Sequence, residues 1–391
     1  MSRVFGSSCL IAGTAIGAGI LALPLVLVHL SLWQSIALMI LVWILAYYSA
    51  LLGSELVLRA KSPLSLGALS HRFSGRGAQI LGQISFLLLC YALMSAYLDG
   101  TASLIHAKIP DLKVSLLHVL TAGGYFAILV LSITAVDRLN RLLFGVMLLI
   151  LFGFTVALAT YVDWNANIES VLPHGSWTSV FTTIPVVFTS FGFQIIFHTI
   201  SDYLEMCPKK IRKSFFWGSL TPAIAYIIWT SIALLVLASQ APDQIAILKE
   251  TSMDVGTFMT LLGSMSHSPI FLSLSWLVSI LAIVTSGIGV SLGIFYTLND
   301  IFKNRIVSAL LTLLPTYTVV SLVPGAFIKA LGFAGMILVI IALLLPMYLL
   351  YKSDDQTSFY PVLRIKIYRW LVIFVSLGIM AIEILHLLNR L

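Results

Sequence analysis

The sequence predicts an all-α polytopic membrane protein that crosses the bilayer about eleven times. The first observation is composition, because 60% of the 391 residues are hydrophobic, only 9% are charged, and the mean hydropathy is +1.05. A soluble domain carries roughly 25% charged residues. The second observation is that apolar runs of about 20 residues recur along the chain, as membrane helices require, whereas membrane strands give weak segments of about ten residues.

The apolar runs place the spans in order along the chain. We predict spans at residues 4–28, 32–58, 78–106, 114–135, 141–161, 178–202, 214–238, 270–298, 306–323, 326–351 and 367–388. The first run lacks a polar, small-residue cleavage stretch behind it, so we expect it to remain in the mature protein. Cys9, Cys90 and Cys207 are too few and too scattered for a disulfide framework or a thiolate metal site, so we interpret them as packing residues.

The basic residues predict the orientation of these spans. If the spans alternate, Lys108, Lys113, Lys249, Lys329 and Arg390 fall on one side, and the other seventeen of the 22 Lys and Arg residues fall on the opposite side. Positive residues concentrate on the cytoplasmic side, so we predict a cytoplasmic N-terminus and a C-terminus outside. The net charge of +7 therefore reflects topology, and no nucleic-acid partner is expected.

Two spans contain short breaks that predict a binding site. The first span reads Gly-Thr-Ala-Ile-Gly-Ala-Gly over residues 13–19, and the sixth reads Thr-Ser-Phe-Gly-Phe-Gln over residues 189–194. Unwound backbone at membrane depth is tolerated where it faces a cavity, protein or a ligand, and breaks at matching positions of two halves indicate a transporter's substrate site. We therefore predict a 5+5 inverted repeat, with residues 1–161 and 162–351 as the repeats and 352–391 as an additional helix.

The first break offers backbone groups for a charged ligand. Free amides at residues 16–19, at the positive end of the following half-helix, suit an anionic carboxylate, and exposed carbonyls beside them suit a cation or an ammonium group. The spacing of Gly13 and Gly17 is equally compatible with a close helix crossing. Both interpretations are open on the sequence alone.

The second break combines polar and aromatic residues. Thr189, Ser190, Gly192 and Gln194 alternate with rings at Phe188, Phe191, Phe193 and Phe197. Such a run is typical of lipid-facing or packing positions. Beside an unwound glycine, however, these rings would form a flat-walled apolar pocket for an aromatic or large aliphatic side chain.

Ionisable residues inside the membrane are functional candidates, because they are costly to bury. Asp99 in the third span and His198 in the sixth are candidates for a gate or a proton site, with a satisfied core histidine as the alternative for His198. We expect Glu55, Asp202, Glu205, Glu383 and His386 to lie at the membrane interfaces. The chain has no phosphate-binding P-loop, H-E-x-x-H pair or nucleophile elbow, so we expect no catalytic residue, metal or cofactor, and transport driven by a gradient.

Two rival functions fit the residues less well. A proton-channel subunit needs ionisable residues repeated along mid-membrane helices, and a membrane-embedded enzyme needs a catalytic pair at membrane depth. The sequence offers neither pattern around Asp99 or His198.

The motifs also resemble a known family. Residues 13–24 resemble the first-helix signature of the hydroxy and aromatic amino acid permeases, and residues 185–193 resemble their sixth helix. Shorter matches lie at residues 91–93, 137–141, 285–286 and 332–335. The resemblance implies a LeuT-like fold in the amino acid-polyamine-organocation superfamily. It further implies proton-coupled symport of tyrosine or tryptophan into the cell, across a bacterial inner membrane. We expect transport by alternating access and a monomeric carrier.

The resemblance also implies site residues. For the substrate these are Ala12, Gly13, Thr14, Ala15, Ile16, Gly17, Ala18, Gly19, Tyr91, Phe188, Thr189, Ser190, Phe191, Gly192, Phe193 and Gln194, with the ring among Phe191, Phe193 and Tyr91. For a coupling cation they are Ala12, Ala15, Thr285 and Ser286, since oxygen ligands suit a hard cation. Met147 stands where relatives tend to carry a lysine, so sodium coupling is the alternative to proton coupling. Asp99 also differs from the family's usual residue.

Overall fold

The computed structural model describes residues 3–130, 133–164, 171–172, 174–250, 253–266, 268–353 and 358–388, and across these ranges it is helical with no β-strand. The first half contains α1 Arg3–Ala15, α2 Gly19–Leu27, α3 Leu32–Ala60, α4 Leu66–Ser74, α5 Arg76–Lys108, α6 Val114–Val130 and α7 Ile133–Ala159. The second half contains α8 Trp177–Ser190, α9 Phe197–Tyr203, α10 Pro208–Gln240, α11 Pro242–Glu250, α12 Val255–Ser264, α13 Pro269–Phe302, α14 Arg305–Leu322, α15 Ala326–Val339, α16 Leu345–Lys352 and α17 Lys366–Leu387.

The helices follow the predicted spans in order. Within the described ranges, nine helical segments are long and apolar enough to cross a membrane, and the bent pair α1 and α2 makes a tenth. Helix α6 has only 17 residues and occupies the predicted fourth span. The predicted all-helical membrane class is confirmed.

Both predicted breaks are present. Helix α1 ends at Ala15, α2 begins at Gly19, and the two axes differ by 54°. The amide of Ile16 still donates to the Ala12 carbonyl oxygen at 3.0 Å, after which the bonding pattern changes and Ile20 donates to Gly17 at 3.1 Å. In the sixth span, α8 ends before Phe191, and a 3₁₀ turn over Gly192–Ile196 leads into α9.

The broken spans pack against unbroken helices. Helix α1 packs against α10, while α8 packs against α2 and α15, and α15 also packs against α5. A π-helical turn over Ile340–Leu344 separates α15 from α16. Outside the spans, the short helix α12 contacts α5, α13 and α2. The result is a bundle in which the two breaks lie side by side.

Buried charge attaches the segment before α17 to α3. Glu55 has no exposed surface and accepts hydrogen bonds from Arg59 Nε at 3.0 Å, the Phe359 amide at 3.0 Å and the Tyr360 amide at 3.2 Å. The Arg59 guanidinium therefore balances the charge of the Glu55 carboxylate, and hydrogen bonds satisfy its oxygens, as the burial of a charge requires. Elsewhere Glu205 pairs with Arg3, as expected for an interfacial residue.

Some predictions concern residues that the structure does not describe. The structure does not describe residues 165–170, which follow the predicted boundary between the two halves, or Arg390, or the side chain of Lys249. The orientation in the membrane and the division into two repeats stay predictions.

Candidate functional site

A cavity of about 750 Å³ lies at the two breaks. Its wall includes residues 13–19 of the first span, Thr189, Ser190 and Gly192 of the sixth, and Thr285 and Ser286 of α13. The remaining wall comes from α5, α7 and α15, including Phe86, Cys90, Tyr97, Phe144 and Leu331. The structure therefore brings most of the predicted binding residues to one cavity, which we call the central cavity.

The central cavity extends toward the side of the bundle that holds the N-terminus. Gly6, Cys9 and Leu10 from the beginning of α1 line it, as does Arg141 near the beginning of α7. Gly6, Cys9 and Leu10 precede the first break by about two to three helical turns. The cavity is therefore approached along the N-terminal half of α1.

Contacts of the loop helix α12 close the opposite side. Asp254 caps this helix and accepts hydrogen bonds from Ser103 Oγ at 2.5 Å and from the Thr257 amide at 3.0 Å. The Gly256 amide donates to Ser103 Oγ at 2.9 Å. Burial alone would raise the pKa of the Asp254 carboxyl, but the hydrogen bonds from Ser103, Thr257 and Gly256 outweigh it, so its pKa lies below the ordinary value of 3.8.

The first break presents amide donors to the central cavity. Ala18 precedes α2 and supplies no side-chain cap. Among the described residues, no backbone carbonyl accepts from the amides of Gly17 and Ala18, and the Gly17 backbone faces the Tyr226 hydroxyl. Free amides at a helix N-terminus favour an anion, through both hydrogen bonding and the helix dipole. This end of the cavity is suited to a carboxylate.

Two aromatic side chains of α10 hold the breaks in place. The Tyr226 hydroxyl donates to the Ala15 carbonyl oxygen at 2.6 Å and lies 3.1 Å from that of Ser190. Trp229 Nε1 donates to the Ile20 carbonyl oxygen at 2.6 Å. The sequence analysis missed both residues. The available signal was a Tyr and a Trp three residues apart on an apolar helix, since these rings carry a polar group that needs a partner when buried.

Three of the four residues predicted for a coupling cation make a hydrogen bond through the predicted oxygen. Thr285 Oγ1 donates to Leu281 of its own helix at 2.8 Å, and the Ala15 carbonyl accepts from Tyr226. Ser286 Oγ packs directly against Gly17. Ala12 is absent from the cavity wall described here, and its carbonyl accepts from the Ile16 amide. Ala15, Thr285 and Ser286 line the central cavity, and a carbonyl or hydroxyl oxygen that makes one hydrogen bond keeps a lone pair that can bind a cation.

The predicted ring pocket needs correction. Phe188, Phe191 and Phe193 are fully buried away from the central cavity, with Phe191 against the Tyr226 ring at 5.4 Å and Phe193 against the Phe215 ring at 6.4 Å. In the turn that follows α8, Gly192 faces the cavity, and its neighbours point elsewhere.

Tyr91 is also directed away from the central cavity. Its hydroxyl donates to the Leu311 carbonyl of α14 at 2.9 Å. The rings that line the cavity are those of Phe86, Tyr97 and Phe144, from α5 and α7. The third span thus contributes rings, but from other positions than the one predicted.

Gln194 and His198 line a second cavity of about 640 Å³. Phe86 and Ile195 contribute to the walls of both cavities and so lie between them. The Gln194 side chain is 2% exposed, and neither its amide nitrogen nor its oxygen has a partner in the described structure. The structure therefore separates Gln194 and His198 from the first break.

Asp99 is bonded on two sides. His118 Nε2 lies 3.0 Å from one carboxylate oxygen, and the Phe327 amide donates to the other at 2.9 Å. Asp99 thus caps the N-terminus of α15 and joins α5, α6 and α15. These contacts give the largely buried carboxylate of Asp99 a structural role. Asp99 is not part of the central cavity wall.

The chain is similar to known transport proteins over nearly its whole length. Residues 1–386 match the model of the tryptophan/tyrosine permease family. Tyrosine-specific transport system 1 of Haemophilus influenzae is 32% identical over 363 residues, which are 90% of this chain and 89% of that protein. The tryptophan-specific transport protein of Pseudomonas aeruginosa is 29% identical, with 88% and 84% covered, and glutamine transporter 2 of Aliivibrio fischeri is 28% identical, with 88% of each covered.

The fold also matches solved structures. A crystal structure of a mutant manganese transporter from Eremococcus coleocola superposes with a TM-score of 0.61 at 15% identity, covering 98% of this chain and 86% of that one. At that identity the likeness shows the fold alone. It is a LeuT-like fold, so the predicted fold class is confirmed.

Proposed function

The chain belongs to the tryptophan/tyrosine permease family, and on that basis we propose that it is a secondary symporter that imports aromatic amino acids, tyrosine or tryptophan, by alternating access. The observation that carries this proposal is the central cavity at the two breaks. Its volume falls within the range of small-molecule sites, roughly 300–1,000 Å³. The relatives are named as permeases and transport proteins, so the protein is a carrier and not an enzyme.

The amino acid group of the substrate binds at the first break. Its carboxylate accepts from the amides of Gly17 and Ala18, which have no backbone acceptor in the described structure. Its ammonium group lies near the last carbonyl oxygens of α1 and α8. The Tyr226 hydroxyl contacts the carbonyl oxygens of Ala15 and Ser190, and each of these oxygens keeps a lone pair that can accept from the ammonium group. A zwitterion thus finds opposite partial charges at one break.

The ring of the substrate lies against α5 and α7. Phe86, Tyr97 and Phe144 replace the predicted Phe191, Phe193 and Tyr91 as its aromatic neighbours. Stacked or tilted contacts between such rings contribute about 0.5–1.5 kcal/mol each beyond burial. This supports an aromatic substrate over a small aliphatic one.

The coupling ion is a proton in this proposal. The family resemblance supports proton coupling. The Ala15 carbonyl and the Thr285 hydroxyl each make a hydrogen bond within the protein, but both oxygens keep lone pairs for a sodium ion. Met147 is fully buried and gives α7 no fixed charge that would replace a bound cation, so sodium coupling stays the alternative.

In this proposal, the central cavity opens alternately to the two sides of the membrane. The described state is open along the N-terminal half of α1 and closed by α12, and the reverse state requires α12 to separate from Ser103 while α1 closes against its neighbours. We place the N-terminus in the cytoplasm of a bacterial inner membrane, residues 1–161 and 162–351 as inverted repeats, and a monomer as the functional unit.

Uptake into proteoliposomes tests the proposal. Radiolabelled tyrosine and tryptophan are supplied with an imposed proton gradient, then with a sodium gradient, each with and without a proton uncoupler. We expect concentrative uptake under the proton gradient that the uncoupler abolishes, with phenylalanine and glutamine as competitors to define the substrate range. Uptake driven by sodium alone would contradict proton coupling, and the absence of gradient-driven uptake of either amino acid would contradict the proposed function.

A further inference from the structure

Glu383 is a buried carboxyl group without a counter-ion in hydrogen-bond range. It lies more than four turns into α17, is 1% exposed, and its Oε1 has no hydrogen-bond partner in the described structure. His386 Nδ1 is 4.0 Å from Oε2, and that histidine side chain is 44% exposed. The expectation that Glu383 reaches the membrane interface is therefore wrong, and its burial requires another explanation.

The carboxyl group lies directly on the backbone of α15. A Cβ atom added to Gly332 would be 2.6 Å from Glu383 Oε1 and 3.0 Å from Oε2, so only glycine leaves room for this side chain. Helix α17 also packs against α8. Glu383 thus occupies a buried pocket where α17 packs on α15.

The helices around this pocket bring little other charge to it. Helix α8 and the π-helical turn contain no ionisable residue, and α15 contains only Lys329, whose Nζ donates to the Pro324 carbonyl at 3.1 Å near the start of that helix. Arg364 and Arg369 lie at the opposite end of α17, bonded to Ser358 and Leu363. Gain or loss of a proton by Glu383 therefore changes the charge of an otherwise apolar pocket.

A short chain of contacts joins this pocket to the central cavity. Leu331, next to Gly332, lines the cavity, and its carbonyl accepts from Thr189 Oγ1 at 2.9 Å. A Cβ on Gly335, one turn further, would lie 2.8 Å from the same Thr189 oxygen. Thr189 immediately precedes Ser190, the last residue of α8 before the break. Glu383 therefore contacts Gly332, whose neighbour Leu331 accepts the hydrogen bond that attaches α15 to the sixth-span break.

We infer that Glu383 is the binding site of the coupling proton. One proton from the aqueous phase adds to the carboxylate to give the neutral acid, and its release on the other side restores the carboxylate. The change in charge acts on α15 through Gly332 and so on the Leu331–Thr189 bond at the break. This inference rests on the proposed proton coupling. Asp99, which the sequence suggested, is already bonded to His118 and to the Phe327 amide.

The test compares Glu383→Gln with the wild-type protein in proteoliposomes by two assays. Counterflow exchange of labelled against unlabelled tyrosine or tryptophan needs no gradient, whereas accumulation needs proton coupling. We expect the variant to keep counterflow and to lose both accumulation under a proton gradient and the substrate-dependent proton influx reported by a trapped pH dye. A variant that still accumulates substrate under a proton gradient would overturn the inference.

Two further variants keep the test decisive. Ser376→Ala removes another buried polar atom without a partner on α17 and should leave accumulation unchanged. If Glu383→Gln does not fold, Glu383→Asp retains a titratable group in altered surroundings, and its accumulation should show a shifted pH profile; an unchanged profile would overturn the inference. Failure of the proposed function itself is recognised separately, because the wild-type protein would then show no proton-driven uptake before any variant is compared.

Discussion

The phenolic hydroxyl of Tyr226 donates a hydrogen bond to the carbonyl oxygen of Ala15 over 2.6 Å. The same hydroxyl lies 3.1 Å from the carbonyl oxygen of Ser190. One side chain of α10 therefore joins the last residue of α1 to the last residue of α8. Helix ends leave carbonyl groups without intrahelical partners. Here a hydroxyl of a neighbouring helix donates at the first break and lies within hydrogen-bond distance of the second.

Tyr226→Phe should weaken transport while leaving the protein folded. The ring and its contact with Phe191 remain, but the buried Ala15 carbonyl loses its donor and the Ser190 carbonyl loses a neighbouring hydroxyl, at a cost of about 1–3 kcal/mol. We expect kcat/KM for uptake to fall about tenfold, since ~1.4 kcal/mol corresponds to a factor of ten. Tyr91→Phe is the matched control, because its hydroxyl bonds Leu311 away from the central cavity and its loss should leave uptake close to wild type. Equal kinetics in the two variants would contradict the anchoring role of Tyr226.

Gly17→Val is expected to abolish uptake while the protein still reaches the membrane. Any side chain at Gly17 would collide with Ser286 Oγ, which packs against it from α13. The smaller change Gly17→Ala should be partly rescued by Ser286→Gly, which removes the colliding atom. Uptake and membrane abundance are measured for each variant. Gly13→Ala is the control, because the added Cβ would meet Phe144 at an ordinary 3.5 Å and uptake should persist.

Much of this fold could be predicted because its signals are local. Apolar length gives each span, and glycine with small polar residues gives both breaks, so α1, α2, α8 and the 3₁₀ turn lie where expected. Which face of a helix meets the cavity depends on packing between helices. Tyr91, Phe191 and Phe193 accordingly face other helices, although they lie in or near the predicted segments.

The missed residues depend on contacts between distant parts of the chain. Tyr226 is 211 positions from Ala15, and Glu383 is buried only because α17 packs on Gly332. A glutamate near the end of an apolar run is typical of an interface residue, and its sequence neighbours give no sign of burial. Pairing between helices determines these roles, and pairing is not visible in hydropathy.

Asp99 should prove to be a structural residue. Asp99→Ala leaves the His118 ring and the Phe327 amide without their partner and should lower the free energy of unfolding by about 1–3 kcal/mol. Asp99→Asn can still accept from the Phe327 amide and should retain most of that stability. Thermal unfolding in detergent measures both variants. If Asp99→Asn instead abolished proton-driven accumulation at normal stability, the structural interpretation would be wrong.

The contact between Asp254 and Ser103 should stabilise the closed side over the whole physiological pH range. Because the folded-state pKa of Asp254 is lowered, its stabilising contribution is complete above the ordinary value of 3.8 and is lost as the pH falls through the lower folded-state pKa. We expect Asp254→Asn to lower the Tm by the same amount at pH 7 and pH 5. The difference from wild type should shrink only below about pH 4. A difference that vanished between pH 7 and pH 5 would contradict this assignment.

The native cysteines report which side of the central cavity is open. Cys9 and Cys90 both line the cavity, whereas Cys207 is absent from the wall described here. A variant that keeps only Cys9, which is exposed whereas Cys90 is buried, should lose uptake when a small charged thiol reagent is applied from the side that holds the N-terminus. Because the bound substrate fills the same cavity, tyrosine or tryptophan should slow that inactivation. The variant that keeps only Cys207 is the matched control and should stay active after labelling. Faster modification of Cys9 from the opposite side would show that the resting state opens there, against the geometry described for α1 and α12.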